Sequence, residues 1–198
     1  AGVDALMASS PYYNRPPQQG IYEHFIAIAD STDLPLMTYD IPRRTGVAIE
    51  TETLVRLAEH PRIIANKDAK GDLEASQWAM ARSDLAWYSG EDSLNLALLA
   101  LGAGGMVSVV GHVVGDRLAQ MAQLFWSGDV EGARVINESL LPVYTGIFRT
   151  QGVILTKAAL QLQGLPSGPV RLPLVSATLG EIKQLREDLV AGGVALPA

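Results

Sequence analysis

The chain has 198 residues, of which 48% are hydrophobic and 18% are charged, so it can form an apolar core and is too poor in charge to be disordered. Fifteen Lys and Arg (Lys+Arg 15) against 21 Asp and Glu give a formal net charge of -6, which argues against nucleic acid as a partner. The absence of cysteine excludes disulfides and thiolate metal sites, and it is consistent with a reducing, cytoplasmic compartment.

Five segments share one pattern, in which an apolar strand is followed by a polar loop and then by an amphipathic helix. In chain order they span residues 4–14, 34–44, 62–72, 85–92 and 104–111. Strands that alternate with helices at this spacing predict βαβ units and a parallel sheet. The strands are continuous hydrophobic runs, as expected when both faces of a sheet are covered.

The helices between these strands include "QQGIYEHFIAIADST" and "TETLVRLAEH", and Thr51 is the predicted N-cap of the second. The longest apolar stretch, residues 94–111, is interrupted by Gly102, Gly104 and Gly105. It therefore predicts a buried helix, a turn and a buried strand, and no membrane span.

After residue 112 the pattern changes to helices alone, expected at roughly 115–127, 129–149, 152–163 and 178–191. The predicted organisation is therefore a β/α domain over residues 1–113 and a helical region over residues 114–198. Five β/α repeats fit either an open doubly wound sheet or part of an eight-stranded barrel. No Gly-x-Gly-x-x-Gly turn follows the first strand, so nucleotide binding has no support, but the residues alone leave the two architectures open.

Lys67 ends the apolar strand "RIIANK" and is the first candidate for chemistry. Burial lowers the pKa of a lysine, and the neutral amine can then attack a carbonyl carbon to form a Schiff base. The alternative is a lysine that reaches solvent from the start of a loop. Lys70, three residues later among acidic residues, is expected to be of that second kind.

Tyr39 ends the preceding strand in "LPLMTYDIPRRTG", where its hydroxyl could transfer protons without bringing a permanent charge. A core tyrosine with its hydroxyl at the rim is the alternative. Arg44 offers a planar guanidinium suited to a carboxylate, and its neighbour Arg43 is expected to be a solvated surface charge. Spacing does not decide which of the two arginines points inward.

Two further strand ends carry candidate residues. Tyr12 and Tyr13 follow the first strand in "PYYNRPPQQG", and because adjacent side chains alternate, one of them could point to a site. A structural aromatic pair is the even alternative. "YSGED", residues 88–92, could bring backbone groups and acids near a ligand. The three scattered histidines predict no zinc site.

Together these segments resemble the dihydrodipicolinate synthase family of pyruvate-dependent class I aldolases. The similarity runs to about residue 190 and rests on five motifs in the family's order and spacing, which are "PYYNRPPQQGIYEHF", "YDIPRRTG", "KDAKGDL", "YSGED" and "GGMVSV". The resemblance implies a (β/α)₈ TIM barrel with a C-terminal helical domain, of which this chain would hold strands 4–8 and the helical tail.

The resemblance also implies roles for single residues. Lys67 would form the Schiff base with pyruvate, with Tyr39 beside it, and Arg44 would hold the carboxylate of L-aspartate-4-semialdehyde. Tyr13 would complete a proton relay in the active site of a neighbouring subunit. Gly90 and Val107 match positions that line the substrate pocket. Tyr12 matches a position of a possible allosteric lysine site.

The implied activity is the condensation of pyruvate with the semialdehyde to 4-hydroxy-tetrahydrodipicolinate, on the path to diaminopimelate and lysine. The resemblance implies no metal and no organic cofactor, and a homotetramer built from tight dimers. N-acetylneuraminate lyase and 2-keto-3-deoxy sugar-acid aldolases share the Lys and the Tyr and remain alternatives. Arg44 favours the semialdehyde, because a small carboxylate needs a bidentate partner.

Three departures from the family pattern affect these expectations. Asp40 stands where the family commonly has Asn, and Asp68 where it commonly has Glu. The family's first three β/α repeats, with their Thr-Thr pair, have no counterpart in the chain. Because five strands cannot close an eight-stranded barrel, we expect these 198 residues alone to be inactive. A non-catalytic half-barrel fragment is therefore a further alternative.

Overall fold

The computed structural model describes residues 2–197, which form two compact units divided between Val107 and Ser108. The first unit contains a five-stranded parallel sheet, and its strands follow one another in sequence order. The strands are β1 (Leu6–Ser9), β2 (Leu36–Asp40), β3 (Ile63–Asp68), β4 (Ala86–Ser89) and β5 (Gly105–Met106). The prediction of parallel strands connected by helices is confirmed.

Five helices connect these strands, and a 3-10 turn at Asp92–Leu94 precedes the last of them. They are α1 (Gln18–Asp30), α2 (Pro42–Thr45), α3 (Thr51–Leu57), α4 (Leu73–Ala81) and α5 (Asn95–Leu101). The predicted N-cap role of Thr51 is wrong. Glu50 precedes α3 without a side-chain cap, and the Thr51 hydroxyl lies 3.4 Å from the carbonyl oxygen of Ala75.

The core of the first unit lies between the sheet and its helices. Ile21 and Phe25 of α1 and Leu54 of α3 are fully buried in one hydrophobic cluster with the sheet residues Leu36 and Trp87. Because side chains alternate along a strand, the residues next to these strand positions face the other side of the sheet. The strand residues that face away from α1 and α3 are therefore the ones available to form a site.

The second unit consists of four helices, as the sequence predicts for the region after residue 112. They are α6 (Gly111–Trp126), α7 (Val130–Ile147), α8 (Gly152–Leu162) and α9 (Leu179–Ala191). Buried apolar side chains on all four form its core, among them Met121, Leu140, Leu155 and Leu185. A bidentate ion pair between Arg149 and the buried Asp188 connects the end of α7 to α9. Within residues 2–197 no helix is long and apolar enough to cross a membrane.

Candidate active site

Lys67 occupies the centre of the carboxyl edge of the sheet. It is paired in register with Tyr39 on β2 and with Tyr88 on β4, so all three side chains lie on the same face. The residue is only 7% exposed, and its Nζ lies 4.0 Å from the centre of the Tyr39 ring. The structure thus brings together the lysine and the tyrosine that the sequence singles out.

The environment of Lys67 favours its neutral form. Burial lowers the pKa of its ammonium group, and the nearby positive charge of Arg44 lowers it further, whereas the Asp92 carboxylate raises it. Removal from water is the largest of these effects. A lysine in this environment is a better nucleophile at neutral pH than one at the surface.

Tyr39 has the complementary property. Burial raises the pKa of its hydroxyl; Arg44 lowers it, and the carboxylates of Glu91 and Asp92 raise it. The phenol therefore remains protonated next to the amine of Lys67. It can therefore act as a general acid, which donates a proton to a developing oxyanion or alkoxide.

Gly90 approaches Lys67 more closely than any other residue type could. A Cβ at Gly90 would lie 2.9 Å from both Cγ and Cε of Lys67, inside normal contact distance. The amide of Gly90 donates to the Asp68 carbonyl oxygen at 2.6 Å, which holds the backbone in this position. The amide of Val107 similarly donates to the Ser89 carbonyl oxygen at 2.7 Å. Gly90 directly follows β4 and Val107 directly follows β5.

The two arginines after β2 differ in their contacts. Arg43 on α2 is mostly exposed and pairs with the carboxylate of Glu91. Arg44 is also exposed, and within residues 2–197 its guanidinium forms no ion pair. Its charge nevertheless acts on Lys67 and on Tyr39. Arg44 is therefore the arginine with donors available for a ligand.

Tyr12 and Tyr13 are not brought into contact with Lys67 in this chain. Their exposures are 73% and 94%, and Tyr13 has a positive φ of 72°. The amide of Asn14 donates to the Tyr12 carbonyl oxygen at 2.9 Å, which makes Tyr13 the centre of a tight three-residue turn. Such a conformation is strained for a residue with a Cβ. The turn projects the ring of Tyr13 into solvent.

The position of Lys67 depends on a buried contact set that sequence reasoning missed. The carboxylate of Asp68, the next residue, accepts from Trp87 Nε1 at 3.1 Å, from the Ser76 hydroxyl and from the Lys70 amide. Trp87 lies on β4 and Ser76 on α4, so one side chain ties the end of β3 to two neighbours. In the sequence, the only sign of these contacts is that Asp68 is an acidic residue at the end of an apolar strand.

Lys70 differs most from expectation. Its side chain is 9% exposed, and its Nζ lies 3.5 Å from the carboxylate of the buried Asp40. The prediction that Lys70 reaches solvent is therefore wrong, because the loop after β3 turns back over the end of β2. Among residues 2–197 no group of three or more His, Cys, Asp and Glu side chains could hold a metal ion.

Comparison with known proteins places this chain in a family. A model of the dihydrodipicolinate synthetase family matches residues 1–191. A 4-hydroxy-tetrahydrodipicolinate synthase 2 of Streptomyces coelicolor is 63% identical over 195 residues, which cover 98% of this chain and 65% of the relative. The chain therefore spans slightly less than two thirds of that relative's length.

Solved structures agree with this relationship. The dihydrodipicolinate synthase of Cyanidioschyzon merolae, solved with lysine bound, is 43% identical and superposes with a TM-score of 0.94. The match covers 98% of this chain and 67% of the other. A monomeric dihydrodipicolinate synthase variant, 31% identical, superposes with a TM-score of 0.92 over 98% of this chain and 67% of its own.

Proposed function

The chain belongs to the dihydrodipicolinate synthetase family, and from this premise we propose that the protein containing it condenses pyruvate with L-aspartate-4-semialdehyde. The product is 4-hydroxy-tetrahydrodipicolinate, a precursor of diaminopimelate and lysine. The observation that carries the proposal is the buried Lys67 amine, with its lowered pKa and with its Nζ 4.0 Å from the ring centre of Tyr39.

The chemistry begins at Lys67. Its neutral amine attacks the ketone carbon of pyruvate, water leaves, and a protonated imine remains. Loss of a proton from the pyruvate methyl group gives an enamine, whose carbon attacks the aldehyde carbon of the second substrate. The amino group of that substrate then attacks the imine carbon, closes the ring and releases the Lys67 amine. No metal or organic cofactor takes part in these steps.

Other residues support these steps by binding and proton transfer. Tyr39 donates and accepts protons beside the imine. Arg44, which has free donors, binds the carboxylate of the semialdehyde as a bidentate partner. Gly90 and Val107 line the pocket. A second candidate substrate class, the sugar acids, would need hydroxyl-binding groups in place of Arg44.

We also propose that the five strands are part of an eight-stranded barrel with a C-terminal helical domain. In a doubly wound sheet the strand order reverses, whereas here it follows the chain from β1 to β5 without reversal. Met7 of β1 lies between two residues that pack on the helices and is 50% exposed on the opposite face. A closed barrel would cover that apolar face.

The exposed Tyr13 supports an assembly in which a partner subunit receives it. Its 94% exposure and positive φ leave the ring available to a second copy, where it would complete the proton relay. We propose a homotetramer of tight dimers, with Tyr12 at the dimer interface as part of a possible lysine site. The monomeric variant among the solved relatives makes sedimentation of this protein a necessary measurement. The lack of cysteine supports a cytoplasmic location.

Borohydride trapping tests the proposed function. Full-length protein incubated with pyruvate and borohydride should acquire one reduced adduct on Lys67, identified by peptide mass spectrometry, and Lys67→Ala should acquire none. Lys183→Ala, at an exposed lysine of α9, is the matched control and should be trapped as wild type. Condensation assays with the semialdehyde and with N-acetylmannosamine then identify the aldehyde. Absence of an adduct on Lys67 would overturn the proposal.

A further inference from the structure

Asp40 and Lys70 form a buried pair of opposite charges beneath the loop that follows β2. Asp40 is 1% exposed and Lys70 is 9% exposed, and their charged atoms are 3.5 Å apart. Asp40 stands at the end of β2, and Lys70 lies two residues beyond the end of β3. Neither residue has a part in the chemistry described above.

Both residues form hydrogen bonds with the backbone of Ile49. Asp40 Oδ1 accepts from the Ile49 amide at 3.1 Å, and Lys70 Nζ donates to the Ile49 carbonyl oxygen at 3.3 Å. Ile49 itself is fully buried. Gln18 of α1 holds the two neighbouring residues, through the carbonyl oxygen of Ala48 and the amide of Glu50. The backbone of this segment is therefore fixed on two sides.

Residues 48–50, which these hydrogen bonds hold, stand at the end of the loop that carries Arg44. Residues 41–48 leave β2 at Asp40, form α2 and return to Ile49, so the contact between Asp40 and Ile49 joins the two ends of the loop. Within the loop, the Thr45 hydroxyl contacts the carbonyl oxygens of Ile41 and Val47. The position of the Arg44 backbone thus depends on where Ile49 is held.

Stability does not account for this ion pair. Burial raises the pKa of Asp40 to about 6 and Asp68 also raises it, whereas the charge of Lys70 and the Ile49 amide lower it. The loss of hydration therefore outweighs the attraction of Lys70. Buried ion pairs of this kind contribute little net stability and in several proteins instead specify one arrangement of the chain.

We propose that Asp40 and Lys70 are positioning residues that set the affinity for the second substrate by holding the Arg44 loop. The inference rests on the proposed function, in which Arg44 binds the carboxylate of the semialdehyde. It predicts a selective effect. Loss of one partner, which leaves the charge of the other buried and unpaired, weakens binding of the semialdehyde and leaves the reaction of pyruvate with Lys67 intact.

The test uses full-length protein and two variants. Lys70→Met keeps the apolar stem but leaves the Asp40 carboxylate buried without its partner, so the loop must shift. We expect the KM for the semialdehyde to rise roughly tenfold, an effect typical of coupled contacts. The KM for pyruvate and the rate of borohydride trapping should remain within about twofold of wild type.

The double variant Asp40→Asn with Lys70→Met distinguishes positioning from simple loss of charge. Asparagine can still accept from the Ile49 amide, and no unpaired charge remains, so the KM for the semialdehyde should recover to within about threefold of wild type. The matched control is Lys157→Met, since Lys157 also donates to a backbone carbonyl oxygen, that of Ser167, in the helical unit. It should leave both KM values unchanged.

Each outcome decides one proposal. If wild-type protein traps pyruvate but Lys70→Met keeps the wild-type KM for the semialdehyde, the positioning role is overturned. A variant that loses kcat and trapping together, with both KM values unchanged, would indicate a merely structural role and would also overturn it. If wild-type protein traps no pyruvate, the proposed function fails first.

Discussion

In the proposed reaction, the reactivity of Lys67 depends on how much of its amine is neutral, and its surroundings set that fraction. Burial and Arg44 lower the pKa of Lys67, while the Asp92 carboxylate raises it. Asp92→Asn should therefore lower this pKa further and shift the pH midpoint of pyruvate trapping downward. The measurement is the trapping rate as a function of pH, compared with wild type.

A matched control separates this effect from a general change in charge. Asp84→Asn removes an exposed carboxylate near the amino end of β4, at the opposite edge of the sheet, and should leave the midpoint unchanged. An upward shift in Asp92→Asn, or equal shifts in the two variants, would show that Asp92 does not stabilise the Lys67 ammonium.

Gly90 gives a second prediction, which concerns space. The Cβ of Gly90→Ala would lie 2.9 Å from Cγ and Cε of Lys67, so the lysine side chain must move. A displacement of about 1 Å at a reacting group can cost roughly a hundredfold in rate, and we expect trapping to slow by between tenfold and about that factor. The rate of trapping at saturating pyruvate measures it.

Gly104→Ala is the control for the Gly90 substitution. Its new Cβ would meet nothing closer than the Trp87 carbonyl oxygen at 3.9 Å, and its φ is not in the left-handed region. Its trapping rate should therefore equal that of wild type. If Gly90→Ala also traps pyruvate at the wild-type rate, the close approach of Gly90 has no role in positioning Lys67.

The strand-end positions make Lys67 and Tyr39 candidates in the sequence, and the family resemblance implies their roles, but neither predicts the contacts that support these residues. Lys67 and Tyr39 are visible because a polar group ends an apolar run. Lys70 looks identical to a surface lysine in the sequence. Its contact with Asp40 spans the connection from β2 to β3, and no local pattern reveals a pair made by the folding of that connection.

At the scale of elements, the pair of Asp40 and Lys70 predicts a dependence of stability on pH. Burial raises the pKa of Asp40 from its ordinary value of 3.8 to about 6, so the folded protein binds this proton more tightly than the unfolded chain. The stability contributed by the protonated carboxyl is present below about pH 4 and is lost as the pH rises through about 6. Above that pH, ionised Asp40 carries a cost.

Removal of both charges should therefore change the pH profile of unfolding. The free energy of unfolding of Asp40→Asn with Lys70→Met, minus that of wild type, should increase by about 3 kcal/mol as the pH rises from about 4 to about 7. Urea unfolding at several pH values measures it. Asp84→Asn, at an exposed acid, should follow the wild-type curve. Parallel curves for wild type and the double variant would contradict the raised pKa.

The same scale shows which elements could be predicted. The four helices of the second unit lie within a few residues of their expected bounds, since each has an apolar period and a Gly near at least one end. The sequence does not predict α2, because Pro42 followed by two arginines also fits a turn. β5 covers only Gly105–Met106 of the expected 104–111, since pairing with β4 ends at Met106.

For the whole molecule, the order of the strands has the largest consequence. β1 and β5 are the edges of the sheet in residues 2–197, and each pairs with one neighbour only. Composition leaves a doubly wound sheet and a barrel open, because both place special residues at strand ends. Register and strand order arise from long-range pairing, which spacing in the sequence does not reveal. The motif resemblance, in contrast, implies a barrel.

The proposed barrel leads to a final prediction. A polypeptide of these 198 residues produced by itself should not condense pyruvate with the semialdehyde, because five strands leave both sheet edges and the face of Met7 uncovered. Condensation assays, together with size-exclusion chromatography, should show an inactive, self-associating species. The natural protein, with its intact mass measured, is the comparison. Condensation by the 198-residue polypeptide at the natural rate would mean that Lys67, Tyr39 and Arg44 suffice without a closed barrel.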